Sequence, residues 1–293
     1  MTLRGPQTAT ERPGRRRIPR PATPAGVLLR CLIAAVGMML CAYAVVIPVL
    51  IPGAERWASA VDADDVTVAF IIVQLAVMTM PLLAGLVVLG VMTRIEGVRW
   101  IDYTGGAGVR ASLTGVVVSS IAAAAVTVAA AGVAQAFGFD ADRGVALDAA
   151  GVPVVLVVVI GVFRAYMMQG IQEELWFRGF AFRGITERPW LVLLATTLTF
   201  TALHLVSQGG QQSVVEHVLY LALALGMGFW AGVERWCTGS VWAAVGVHGG
   251  IHMGLTVVSI AGWPLGPVTW IAIGLALIIA ALTRLGIRRP WSP

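Results

Sequence analysis

Two adjacent carboxylates, Glu173 and Glu174, stand in the stretch QEELWFRGFAFRG, and all of the chain's 4 histidines, His204, His217, His248 and His252, follow them. Carboxylates and imidazoles are the residue types that take a proton from water or donate to a developing oxyanion. Helical spacing already separates the two glutamates. Glu174 and Arg178 are i,i+4 neighbours that can form a charge pair, whereas Glu173 points about 100° away around the helix. Glu174 is then the held carboxylate and Glu173 the free one, suited to act as a general base on water.

The elements that must position these groups are membrane helices. The chain has 293 residues, 58% hydrophobic and 12% charged, with a mean hydropathy of +0.86. That composition excludes an ordinary soluble core. Apolar stretches of about 20 residues, the length that crosses the hydrocarbon, fall near 26–50, 66–92, 110–136, 152–185, 190–206, 214–234, 240–261 and 267–285. The expected fold is all-α and polytopic, with about eight transmembrane helices.

Residues 1–25 carry Arg4, Arg12, Arg15, Arg16, Arg17 and Arg20 and read as a disordered basic cytoplasmic tail; the apolar run after it reads as a first span rather than a cleaved signal. The 51–65 loop carries Glu55, Asp62, Asp64 and Asp65, the 138–150 loop Asp140, Asp142 and Asp148, while Arg94, Arg99, Arg110, Arg183, Arg188, Arg235, Arg284, Arg288 and Arg289 mark the alternate boundaries. This alternation predicts both termini in the cytoplasm. It also explains the net charge of +5 as topology rather than as a nucleic-acid surface, so no nucleic-acid partner is expected. Three helices over 26–150, a polar core over 151–261, and a last helix with a basic tail over 262–293 complete the expected organisation.

The 105–136 stretch, rich in Ala, Gly, Val and Ser, suits close helix packing. Cys31, Cys41 and Cys237 form no metal or redox pair. His217, beside Glu216 at the outer end of its span, reads as an interfacial polar residue.

Ionisable groups inside a membrane helix cost a few kcal/mol or more each unless paired or hydrated, so Glu173, Glu174, Arg178, His204, His248 and His252 require an explanation. Counting from the turn at Arg188 and Pro189, Glu173 lies 15 residues back and His204 lies 16 forward, each about 22–24 Å along its helix. His248, about 14 Å beyond the Gly239 turn, and His252, one turn later on the same face, can converge on them.

These residues resemble those of a known family. EELWFR (Glu173 to Arg178) is similar to an EExxxR motif, FTALH (Phe200 to His204) to FxxxH, and HGGIH (His248 to His252) to HxxxN or HxxxD. They are the motifs of the CPBP family, the type II CAAX prenyl proteases and their bacteriocin-processing and self-immunity (Abi) relatives. The likeness covers roughly residues 155–260.

It implies an intramembrane endopeptidase at the cell membrane in which Glu173 activates water with help from His204. It further implies that Glu174 and Arg178 support the site and that His248 stabilises the oxyanion. The departure is at the last position, where His252 replaces Asn or Asp.

Four donors, His204, His248, His252 and Glu173, would suit zinc, but the metal-free reading is preferred and no cofactor is expected. The partners implied are the lipid bilayer and a membrane-associated peptide or protein substrate. A proton-coupled carrier or a catalytically silent scaffold or immunity protein are the competing classes. Carriers usually duplicate inverted repeats, and none is visible here.

Overall fold

A computed structural model describes residues 23–50, 68–143, 153–183, 187–207 and 209–287. Most of the basic tail, the acidic 51–65 loop, Asp148, Arg288 and Arg289 lie outside them. Eight helices are long and apolar enough to cross a membrane. In chain order they are α1 (Pro24–Ala42), α2 (Val68–Glu96), α3 (Val109–Ala136), α4 (Val154–Phe180), α5 (Pro189–Leu203), α6 (Val214–Thr238), α7 (Val241–Ile260) and α8 (Pro267–Ile287). No strand occurs among the described residues. The all-α, multi-pass membrane architecture expected from hydropathy is therefore the one observed.

Charged side chains gather at the two ends of the bundle. At one end Glu96 receives Arg30, Arg183 and the Tyr103 hydroxyl (2.9 Å), joining α1, α2 and the end of α4. Arg284 bonds Glu234 at 2.7 Å at the same end. At the other end Arg143 pairs with Glu216, and Asp140 accepts from the Thr269 backbone N–H and hydroxyl at 2.8 and 2.7 Å, capping α8. Asp140, read from sequence as a topology marker, thus also seats a helix.

The site is organised around α7. Two thirds of its apolar window (67%) is buried, against 17–39% for the other spans. Its entry is set by Gly239, whose φ of +66° closes α6 in the left-handed region, and by Ser240, whose hydroxyl accepts from Trp242 N–H at 3.3 Å. Along one face, Gly246, Gly250 and Gly254 meet the backbone of α3. A Cβ on them would lie 2.5 Å from Val116 O, 2.4 Å from Ser120 O and 3.0 Å from Ala124 O.

This contact is why the α3 stretch is made of small residues: van der Waals packing between backbones replaces a hydrophobic driving force that lipid does not supply. Gly250→Ala is expected to push α7 off α3, lowering stability by about 1–3 kcal/mol and displacing His248. Loss of heat stability in detergent checks this, and an unchanged melting profile would refute it.

Helix α4 is not α-helical throughout. Phe163–Gly170 and Leu175–Phe180 are π-helical, flanking a single α-turn at Ile171–Glu174. Such turns concentrate at functional sites because they redirect side chains. The helix ends at Phe180, so the sequence count of 15 residues from Arg188 to Glu173 includes non-helical chain and overstates the depth of Glu173 within α4.

Candidate active site

Four of the expected residues form one bonded chain. Arg178 holds Glu174 with Nη1 to Oε1 at 3.4 Å and Nε to Oε2 at 3.3 Å, both side chains fully buried. The second approach is an ion pair by distance without hydrogen-bond alignment. Arg178 also donates to Gly228 O, and its guanidinium carbon sits 4.8 Å from the centroid of the Phe200 ring. Arg235 in turn donates to Arg178 O at 2.9 Å.

Glu174 reaches α7. His248 Nδ1 lies 2.9 Å from Glu174 Oε1, and His248 Nε2 lies 3.2 Å from His252 Nε2, the two rings stacked with centroids 5.0 Å apart. With Glu174 held anionic by Arg178, the network assigns the Nδ1 proton to His248. His248 Nε2 then accepts from His252, whose Nδ1 is left with the lone pair. The glycines of HGGIH make this possible. A Cβ on Gly249 would fall 2.2 Å from the Tyr166 ring, which lies against that point of α7 and donates to Ser120 Oγ at 2.7 Å.

Glu173 stands apart from this chain. Its Oε2 is buried and has no hydrogen-bond partner among the described residues, as the helical spacing of the two glutamates requires. His204 closes α5, with Nδ1 2.9 Å from Phe200 O. That bond leaves Nε2 as the acceptor nitrogen.

No hydrogen bond joins Glu173 to His204, whose ring lies 6.5 Å from that of Tyr220.

Phe200 divides the site, its ring 4.5 Å from His204 and 5.9 Å from His248. His217 bonds the Ser213 carbonyl at 3.0 Å on an exposed turn and takes no part. Sequence reasoning missed Tyr166, Tyr220 and Gly228, and only the FxxxH spacing hinted at Phe200.

The zinc alternative meets a geometric obstacle. The His248 and His252 Nε2 atoms are close enough together to share one ion, but no three His, Cys, Asp or Glu side chains converge as a metal site among the described residues. The Phe200 ring also stands between His204 and His248. No catalytic step is derived through a metal.

Comparison with known families matches residues 153–254 to the model of the type II CAAX prenyl endopeptidase Rce1-like family. Over that segment the chain is similar to the Rce1-like family. The matched segment runs from the residue before α4 to Gly254 in α7, and so contains every residue of the bonded chain as well as Glu173 and His204. The family points to hydrolysis of peptides within a membrane. No curated protein and no solved structure matches the chain.

Proposed function

We propose that the chain cleaves a peptide bond of a membrane-associated peptide or protein, using water activated by Glu173. The bundle end bearing Arg30, Glu96 and Arg183 faces the cytoplasm in this reading, and the membrane is the cell membrane. One observation carries the proposal: a buried carboxylate oxygen on Glu173 without a partner, beside a second carboxylate, Glu174, that is held by Arg178 and His248. A desolvated carboxylate with an unused acceptor is a base waiting for a proton donor, and in this place the donor is water.

The chemistry then divides among the residues. Water donates one hydrogen to Glu173 and the other to the acceptor nitrogen of His204, which aims its oxygen at the scissile carbonyl. As the C–O bond forms, the water proton passes to Glu173 and the carbonyl oxygen becomes negative. At rest the His248 N–H is engaged by Glu174 and the His252 N–H by His248 Nε2. The oxyanion takes its hydrogen bond from His252, whose Nε2–H turns from His248 to the carbonyl oxygen while Glu174 keeps His248 in place. Glu173 finally returns its proton to the leaving amine as the C–N bond breaks. Here His252 supplies a donor where the CPBP motif places Asn or Asp.

The experiment is reconstitution of the purified protein in lipid with two peptide sets, one carrying a prenylated cysteine and one unprenylated and membrane-anchored, with products identified by mass spectrometry. His204→Ala is expected to reduce turnover about a hundredfold or more and leave the melting temperature nearly unchanged, since the side chain makes one hydrogen bond and that to its own helix. Full-rate cleavage by His204→Ala, or no cleavage of either set by the unaltered protein, would overturn the assignment.

A further inference from the structure

Arg94 is a cation at the end of a membrane span to which the bundle offers no anion. It stands two residues before Glu96, the last residue of α2, but that carboxylate turns inward to Arg30, Arg183 and the Tyr103 hydroxyl. Arg94 is exposed, and no carboxylate pairs with it among the described residues.

Below Arg94 the outer surface of α2 is hollow. A cavity of about 410 Å³ lies between this face of the helix and the side chain of Trp100. Leu86, Gly90 and Arg94 follow one another at four-residue intervals, with Val87 and Val91 beside them, so the hollow extends about 12 Å along α2 from the cation toward the hydrocarbon. Val87 and Val91 are 68% and 47% exposed. Gly90 makes the dip: the Trp100 ring comes within 4.0 Å of where a Cβ on that glycine would sit.

Trp100 is held in place as the second wall. It opens the short helix Trp100–Thr104, and its ring meets that of Tyr103 edge-on, with centroids 6.3 Å apart. Tyr103 is fully buried and donates to Glu96 at 2.9 Å. The turn between the walls is closed by Val98 N–H on Thr93 O at 2.9 Å and Gly97 N–H on Arg94 O at 3.2 Å. The same network that occupies Glu96, and so leaves Arg94 unpaired, therefore braces the indole.

We propose that this hollow binds one anionic phospholipid, with its phosphate on Arg94 and an acyl chain along Leu86 to Val91 against the Trp100 ring. An apolar floor open to the hydrocarbon, a cation at its outer end and an indole between them match the three parts of a lipid at the membrane interface. Arg99, exposed and next in the chain to Trp100, adds positive charge there, while the nearby Asp102 carboxylate is engaged by the Arg99 backbone N–H at 2.8 Å. The chain's own arginine-rich segment over residues 1–25 has the same sign of charge and does not suit Arg94. The orientation proposed above puts the site in the cytoplasmic leaflet, where anionic lipids collect; the binding itself does not depend on the protease reading.

The test uses the full chain in micelles of a neutral detergent, titrated with phosphatidylglycerol or phosphatidylcholine bearing brominated acyl chains, which quench the indoles they touch. The signal is the part of the quenching that Trp100→Phe removes. Phosphatidylglycerol is expected to reach half of that signal at about fivefold lower mole fraction than phosphatidylcholine, the ratio one basic residue supplies near an anionic surface. Arg94→Gln is expected to erase the difference and Arg94→Lys to retain part of it. Gly90→Leu, whose side chain fills the dip, is expected to remove the Trp100 signal with both lipids.

Equal half-points for the two lipids in the unaltered chain, or no Trp100 signal with either, overturns the inference. So does a preference that survives Arg94→Gln, a variant at an exposed position that decides the matter even where Gly90→Leu does not fold. A Trp100 signal unchanged in folded Gly90→Leu protein removes the acyl chain from the hollow. Release of the brominated lipid by inorganic phosphate at equal concentration assigns Arg94 to a soluble anion instead.

Discussion

Glu173→Gln is expected to lower the turnover of a reconstituted peptide substrate by about a thousand- to ten-thousandfold. The replacement keeps shape and size but removes the acceptor that takes the water proton. Because Glu173 Oε2 has no partner among the described residues, no structural bond is lost, and a neutral amide is easier to bury than a carboxylate. Melting temperature and elution profile should therefore match or exceed those of the unaltered protein. Turnover within tenfold of normal in a folded Glu173→Gln protein would remove Glu173 from the mechanism.

Arg178→Met is expected to act on stability instead. It strips the Glu174 carboxylate of its cation in a site where both side chains are completely buried, and it leaves the Gly228 carbonyl without its donor. Removing one member of a buried ion pair typically costs about 3–5 kcal/mol, because the remaining charge stays desolvated.

The paired change Glu174→Gln with Arg178→Met is expected to recover much of that loss while remaining inactive, since His248 loses its anionic anchor. Denaturation in mixed detergent, followed across both single variants and the double, measures the coupling. A single variant as stable as the unaltered protein would show that the buried pair does not contribute to stability.

These two roles could be separated from sequence because Glu173 and Glu174 fall within the α-helical turn between the two π-helical segments of α4, Ile171–Glu174, where 3.6-residue geometry holds. The eight spans were legible for a related reason. Lipid enforces a minimum length of apolar residues, and the small residues of α3 signal the backbone contact with α7. The π-helical segment Phe163–Gly170 was not legible. Nothing in the residue types around 163–170 announces those turns.

The bond from His248 to Glu174 was equally hidden. The resemblance assigned His248 to the oxyanion, and helix depth could not reveal that its other nitrogen is anchored across the bundle. The common level inferred for Glu173 and His204 counted residues 181–183 as helix, whereas α4 ends at Phe180.

The glycine face of α7 has a consequence for how this protein can vary. Side chains at a helix contact have rotamers through which they accommodate a neighbour's change, but peptide groups in contact have none. With Gly246, Gly250 and Gly254 against the main chain of α3, the separation of those two helices is a fixed dimension, and His248 and His252 inherit it. Divergence in substrate preference is thereby directed to the opposite wall, α4 and the end of α5, where the contacts are made by side chains that can be exchanged one at a time.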